Sequence, residues 1–500
     1  MCKKTAAPTE TPAPAPAQAK RYTFDDMRAH ATRGDAWITI HGKVYDVTEF
    51  AKRHPGGDII YQGLAIDSTV LFETHHNMIP NMDRLHATMK KYYIGELDGW
   101  KPLANFKTPF AQELLQAVRD YVHKRDKEVS WFGRRWDALS YGSMAFIIFG
   151  MSFWVYKIAT TGSLWYYGLM AYFMTAGHVC GHAANHYSLF ESSFWNNLFS
   201  TTFTNLWGLR EQYWTFSHLL SHHCYNYADR DYMIEQHVPT RYFRTRPEDP
   251  WKPINAYQHY IYRVAPAFAF FMGALRWDCA PWVFVAPIAV PILTKLGLMR
   301  AGESSVAAPQ FTASGSTHGE SELGPNEDGV GINKKFHVRE SFLMACWSVF
   351  MANVLWLPLF VIVGNKFGYA WAWFGHSFCF GLQSAVVINT LLTQHLSEDI
   401  ILKPTMEAKD DWYKMQIEAS TSVKAPVIKR LLGYGINYQI EHHIFPCMSP
   451  QFLHEVQPIV EEVCAKNGVQ YNGFPSLSSC QESVYKRFKN LSTKSSVKSE

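Results

Sequence analysis

Asn437-Tyr438-Gln439-Ile440-Glu441-His442-His443-Ile444-Phe445-Pro446 sets two adjacent imidazoles behind a Gln and a Glu, directly after an apolar, Gly-containing run. Neighbours on a helix point about 100° apart, so such a pair by itself asks for only one inward imidazole. Two more clusters stand upstream, His178-Val179-Cys180-Gly181-His182-Ala183-Ala184-Asn185-His186 and His218-Leu219-Leu220-Ser221-His222-His223. The i, i+4 spacing stacks side chains on one helix face, so His182 with His186, and His218 with His222, can each grip a metal ion from one side. Three such clusters ask for a shared centre. Neutral imidazole suits iron, zinc or copper, and eight or more His exceed what a single ion uses, so two ions fit the count.

A second pattern lies near the N-terminus. Trp37-Ile38-Thr39-Ile40 and Lys43-Val44-Tyr45-Asp46-Val47 alternate around His41-Gly42, a hairpin signal. They lead to His54-Pro55-Gly56-Gly57-Asp58, then Phe72, His75 and His76, and the unit closes on Tyr93-Ile94-Gly95-Glu96-Leu97. From about Tyr22 to Leu97 the chain resembles a cytochrome b5 domain. The resemblance implies a haem b held by His54 and His76, with His75 open as the alternative to His76. A haem ligated by two His leaves no open iron position, so it moves electrons and does not itself activate oxygen. An acceptor attached to the same chain is therefore expected.

The elements that position these residues follow from composition. The 500 residues leave room for two or three domains, and 17 Trp and 22 His are high for a soluble enzyme. The net charge of +4 is small and dispersed, which excludes a nucleic-acid partner. Nine Cys without paired spacing fit a reducing compartment. Residues 1–20 are rich in Ala, Pro and Thr and read as a disordered tail, neither signal nor transit peptide. Phe110 to Val122 reads as an amphipathic helix suited to a membrane surface. Ala138 to Tyr156 and Leu164 to Gly177 are uncharged runs, and Ser341 to Asn365 with Phe367 to Gln394 give a second pair, the last run delivering His395. A bilayer core takes about 20 helical residues, so each pair forms a hairpin that crosses and returns. Cys279 to Thr294, with its three Pro, reads as interfacial or half-inserted, and residues 301–335 as an insert too polar to form a core. Both hairpins then leave every His cluster, the N-terminal unit and both termini on one face. Lys124, Arg134, Arg135, Lys334, Lys335 and Arg339 flank the spans and make that face cytosolic.

A His-rich pair of irons beside a one-electron donor in a membrane points to oxygen activation on a lipid. With the N-terminal unit, His182-Ala183-Ala184-Asn185-His186, His218-Leu219-Leu220-Ser221-His222-His223 and Gln439-Ile440-Glu441-His442-His443, the chain resembles a front-end fatty acyl desaturase from about Tyr22 to Phe474, the insert excepted. Trp214, Asn226, Trp412 and Gln416 also sit where that family tends to have them. The resemblance implies two non-haem irons on His182, His186, His218, His222, His223, His395, His442 and His443, with Gln439 at or beside the metals. It further implies O2 as co-substrate, electrons from NADH through NADH-cytochrome b5 reductase, a long-chain fatty acyl lipid or acyl-CoA as substrate, and an endoplasmic reticulum membrane location. Two features depart from the family. Ala183 replaces the usual Asp, removing a hydrogen bond that would orient an imidazole. His178 also precedes His182 by four, so that 178/182 competes with 182/186 as the box; Asn185 and Tyr187-Ser188-Leu189-Phe190 favour 182/186.

The expected architecture is an α+β cytochrome b5 domain (21–98) and a linker with an interfacial helix (99–135), then an all-α integral membrane desaturase domain (136–480) and a tail (481–500). The membrane domain carries four transmembrane helices in two hairpins and a cytosolic helical cap around the di-iron site. The first two boxes lean toward Δ5- or Δ4-type members. A sphingolipid desaturase or hydroxylase shares the same clusters, and a non-catalytic haem-binding membrane protein is the rival from another class. Isolated His such as His30, His41, His123 and His376 read as satisfied or surface residues, with His259 the one expected nearest the site.

Overall fold

The computed structural model describes residues 19–79, 82–125, 138–206, 214–228, 231, 243–271, 274, 347, 350–351, 353–403, 405–424 and 435–494. The insert at 301–335, the stretch Cys279 to Thr294, and Arg134, Arg135, Lys334, Lys335 and Arg339 lie outside them.

The N-terminal domain is a five-stranded sheet ordered β1-β5-β4-β3-β2, with short helices on both faces. Its strands are β1 (Arg21–Tyr22), β2 (Ala31–Thr32), β3 (Asp35–Ile40), β4 (Lys43–Asp46) and β5 (Tyr93–Leu97). The expected β3–β4 hairpin forms, pairing Trp37 with Asp46 and Ile40 with Lys43. Its turn residues, His41 and Gly42, both take positive φ, the geometry that matches the twist of the flanking strands. Four helices follow the chain around this sheet: α1 (Phe24–Ala29), α2 (Thr48–Ala51), α3 (Thr69–His75) and α4 (Met82–Lys90). α1 starts on a reciprocal cap in which Thr23 and Asp26 satisfy each other's backbone N–H groups. His76 is the residue that caps the C-terminus of α3.

Helix α5 (Pro109–Arg125) corrects one expectation. Phe110, Leu114, Val118 and Val122 recur every fourth residue and are buried, together with Ala111. They share a core with Val70 and Met78 of the N-terminal domain and with Ile440, Ile444, Phe452, Val456 and Val460 further on. The stripe is therefore covered by protein, and no apolar face remains for a membrane surface. Burial of each such side chain contributes roughly 1.5–3 kcal/mol, so α5 acts as a clamp between the two halves of the molecule.

The rest of the chain is mostly helical. α6 (Ala138–Thr161) and α7 (Leu164–Asn185) run 24 and 22 residues, and after α8 (Ser193–Leu206) come α9 (Trp356–Phe367) and α10 (Tyr369–Gln394), the last of 26 residues. α6 with α7 and α9 with α10 form two hairpins that pack on each other through α7 and α10. Their tight turns meet at one end: Gly162 and Gly368 take positive φ, Trp371 Nε1 donates to Gly162 O at 2.7 Å, and Lys366 Nζ donates to Thr160 O at 2.7 Å. The opposite ends of α7 and α10 carry His182, His186 and His395. Large apolar side chains face outward along the bundle, Phe149 at 69% exposed and Trp165 at 72% among them, a surface that water disfavours. By length and apolarity together, Tyr141–Thr161 qualifies as a membrane span among the described residues.

The cap over the His-bearing end consists of α11 (Trp412–Glu418), α12 (Gln439–Ile444), α13 (Pro450–Lys466) and α14 (Leu477–Asn490).

Candidate metal centre

Eight imidazoles converge in two buried groups. His182, His186, His218, His223 and His442 form one, and His222, His395 and His443 the other; within each group the ring nitrogens available for ligation lie within 4.8 Å of one another. Gln439 Nε2 is 3.3 Å from His395 Nε2, beside the second group. His178 belongs to neither; one turn back on α7, it touches the edge of Trp214, whose indole stacks on His218.

Local backbone decides which ring joins which group. His182 and His186 stack one turn apart at the end of α7, as the i, i+4 spacing predicts. The second cluster does not follow that rule, because Thr215–His222 is π-helical. In a π-helix residue i+5 returns beneath residue i, so His218 is joined by His223, and His222 turns to the other group. The expected His218/His222 pair on a single ion is thus replaced by His218/His223. In α12 the adjacent His442 and His443 point apart, yet both are buried because one group lies on each side of the helix. Gln439, four residues before His443, shares its face.

Partners outside the ligand atoms fix several rings. His222 Nδ1 lies 2.7 Å from Asp231 Oδ2, His443 Nδ1 2.9 Å from Gln416 Oε1, and His395 Nδ1 3.1 Å from Ala419 O. Each contact sets the tautomer and turns Nε2 inward. Trp412 Nε1 donates to Cys224 O, and Asn226 Nδ2 to Ser420 Oγ, tying α11 to the second cluster. α12 is held from behind: the Glu441 carboxylate accepts from Ser422 Oγ at 2.7 Å and Tyr471 OH at 2.7 Å, and burial pushes Glu441 up to about 7.

The donor set fits cations. Burial lowers the proton affinity of His218, His223, His442 and His443 far below the usual imidazole value, leaving neutral rings with a lone pair each. His218 Nε2 faces His182 Nε2 at 2.7 Å and His223 Nε2 at 3.1 Å. Both ring nitrogens of His186, Nε2 of His442 and of His443, and Gln439 Oε1 are buried without a hydrogen-bond partner. Each such group costs roughly 1–3 kcal/mol, a penalty that metal ligation removes.

The N-terminal domain holds a second site. His54 and His76 face each other across a cavity of about 400 Å3, their ring centroids 6.1 Å apart. Its walls are chiefly apolar, including Ile38, Ile40, Val47, Phe50, Leu71 and Phe72. His54 Nδ1 is 3.2 Å from Gly57 O and His76 Nδ1 is 2.8 Å from Phe72 O, so each ring is held through Nδ1 and would offer Nε2 to a haem iron. The residues present fit a flat, apolar macrocycle with two axial imidazoles. The ring set edge-on to His54 is that of His76, and His75 lines the same cavity.

The isolated His find ordinary partners: His30 Asp35, His41 Glu73, and His123 the Met78 carbonyl. His259 contacts Tyr260 and Tyr485, away from both groups, contrary to its expected place. The Ala419 carbonyl, the Ser422–Glu441–Tyr471 support and Cys447 were not foreseen. The carbonyl and Cys447 carry no spacing signal, and Glu441 is visible only as part of its motif.

Residues 23–98 match the cytochrome b5-like heme/steroid binding domain family, and residues 325–475 match the fatty acid desaturase family. The chain thus carries a cytochrome b5-like domain fused to a fatty acid desaturase domain, which indicates an oxidoreductase. Its relatives include acyl-lipid (8-3)-desaturase B of Dictyostelium discoideum, 24% identical with 92% of this chain and 91% of the relative covered. Acyl-lipid (8-3)-desaturase of Mortierella alpina is 24% identical over 91% of this chain and 93% of its own length. Delta(8)-fatty-acid desaturase of Borago officinalis is 24% identical over 90% of each.

Proposed function

We propose that this protein introduces a double bond into a long-chain polyunsaturated fatty acyl chain, between an existing double bond and the carboxyl end. His182, His186, His218, His223 and His442 hold one iron, and His222, His395 and His443 with Gln439 hold the other. His54 and His76 hold haem b. The irons supply the oxidising power to break unactivated C–H bonds. O2 would become two waters: the acyl chain gives up two hydrogen atoms, which are two electrons and two protons, and the other two electrons come by way of the haem domain with two protons from solvent. NADH supplies those electrons through a cytochrome b5 reductase.

The protein's own part is positioning. Asp231, Gln416 and the Ala419 carbonyl fix ring orientation, and the dry surroundings exclude water from the oxidising centre. The observation that carries the reading is the convergence of eight His, spread over some 260 positions of sequence, into two buried groups beside a two-His cavity. Two hairpins of helices with few charges hold those groups at the end remote from both turns, which supports four spans; the membrane proposed is that of the endoplasmic reticulum, with the His end and both termini cytosolic. The acyl chain arrives as an acyl-lipid or as an acyl-CoA. Expression in yeast fed C18, C20 and C22 polyunsaturated acids, with the new double bond located by mass spectrometry, tests the reading. A carboxyl-side double bond supports it; a hydroxylated product, a desaturated sphingoid base, or no product with full haem and iron defeats it.

A further inference from the structure

His75 stands in the partition between the two sites. It borders the haem cavity together with His54 and His76. It also borders a gap of about 10 Å3 whose other walls include His186, His223 and His443. Such a gap admits one water at most, so it is a contact and not a binding pocket. Thr74 Oγ1 donates to Val70 O at 2.8 Å and lies 3.0 Å from His75 Nδ1, which sets the ring from within α3. Cys447, from the loop after α12, makes the same crossing: it lines the haem cavity, and its Sγ donates to His186 O at 3.4 Å.

The two domains are fastened at this point. Asn77 Nδ2 donates to Ile444 O at 2.9 Å in a buried contact, and Asp58 N donates to Ser193 Oγ at 3.1 Å. Ile59 of the N-terminal domain packs with Tyr187 and Cys447 of the helical domain. The haem cavity and the five-His group are therefore separated by one layer of side chains.

We propose that His75, flanked by Cys447, is the relay by which electrons cross from the haem domain to the histidine groups. Electron transfer weakens steeply with each gap in the intervening medium. The imidazole of the residue next to His76 borders the same narrow gap as the far cluster and so shortens the path. In each crossing the haem iron is oxidised by one equivalent and the metal centre is reduced by one; no bond forms or breaks. The inference rests on the haem and metal assignments proposed above, and the experiment separates the two.

Full-length protein, loaded with haem and iron and reduced anaerobically, is mixed in a stopped-flow instrument with O2 and a C20 polyunsaturated acyl-CoA while the haem band is followed. His75→Leu is expected to slow haem reoxidation about tenfold or more, the scale of a lost close contact. Its haem spectrum, midpoint potential and iron content are expected to match the parent. His75→Phe, which restores a ring of similar reach, is expected to recover most of the rate, and Cys447→Ala to slow it less. Unchanged reoxidation in His75→Leu with full haem and iron overturns the relay. If His75→Leu loses haem, His75→Gln carries the same expectation. Substrate-independent reoxidation in the parent protein would instead defeat the functional reading, and the relay with it.

Discussion

At the scale of single residues, the site is a contest between lone pairs that have partners and lone pairs that have none. Gln416 holds His443 through Nδ1, so Gln416→Ala should lower metal affinity or turnover by roughly 10–100-fold while the haem spectrum is unchanged. Gln416→Glu, which keeps the acceptor, should recover most of the loss; metal titration and turnover check both. His395 contributes to the three-His group and its absence leaves the five-His group complete. His395→Ala is therefore expected to bring iron from about two ions per chain toward one, with activity lost, as read by elemental analysis against haem content. His186 has no hydrogen-bond partner at either nitrogen.

At the scale of elements, the second cluster's backbone and the clamp helix matter most. The π-helical stretch Thr215–His222 groups His218 with His223 and sends His222 to the other group, where a regular helix would pair His218 with His222. Helix α5 joins the domains through Phe110, Leu114, Val118 and Val122. Leu114→Ala removes a fully buried side chain and should cost about 2–5 kcal/mol. Because that core holds Val70 and Met78 as well as Ile440 and Ile444, the lost stability should be accompanied by weaker docking of the haem domain. A fall in thermal midpoint together with faster protease release of the N-terminal domain is the measurement.

At the scale of the whole molecule, the two hairpin turns lie together and the His-bearing helix ends lie together. A membrane around the bundle puts Trp165, highly exposed beside the Gly162 turn, on the side away from the metal groups. A cysteine introduced at Trp165 should react with an impermeant maleimide only after sealed microsomes are opened, whereas a tag at the N-terminus should be reachable from outside.

Motif chemistry was legible before any fold was known. The imidazole clusters, the His54 to His76 frame and the uncharged runs are local patterns, because ligand type, helical spacing and lipid-length apolarity are written in neighbouring residues. The hairpin at His41-Gly42 was legible for the same reason. Other features required the chain to close on itself. The partition of eight His into five and three depends on a π-turn and on both sides of α12 being covered. The choice of His76 over His75 depends on which ring the Phe72 carbonyl turns toward His54. The amphipathic stripe of α5 showed that an apolar face must be covered, but only tertiary packing decided that protein, and not lipid, covers it. The gap that His75 and His186 both line brings together residues 111 positions apart, a distance over which spacing carries no information and only three-dimensional docking sets proximity.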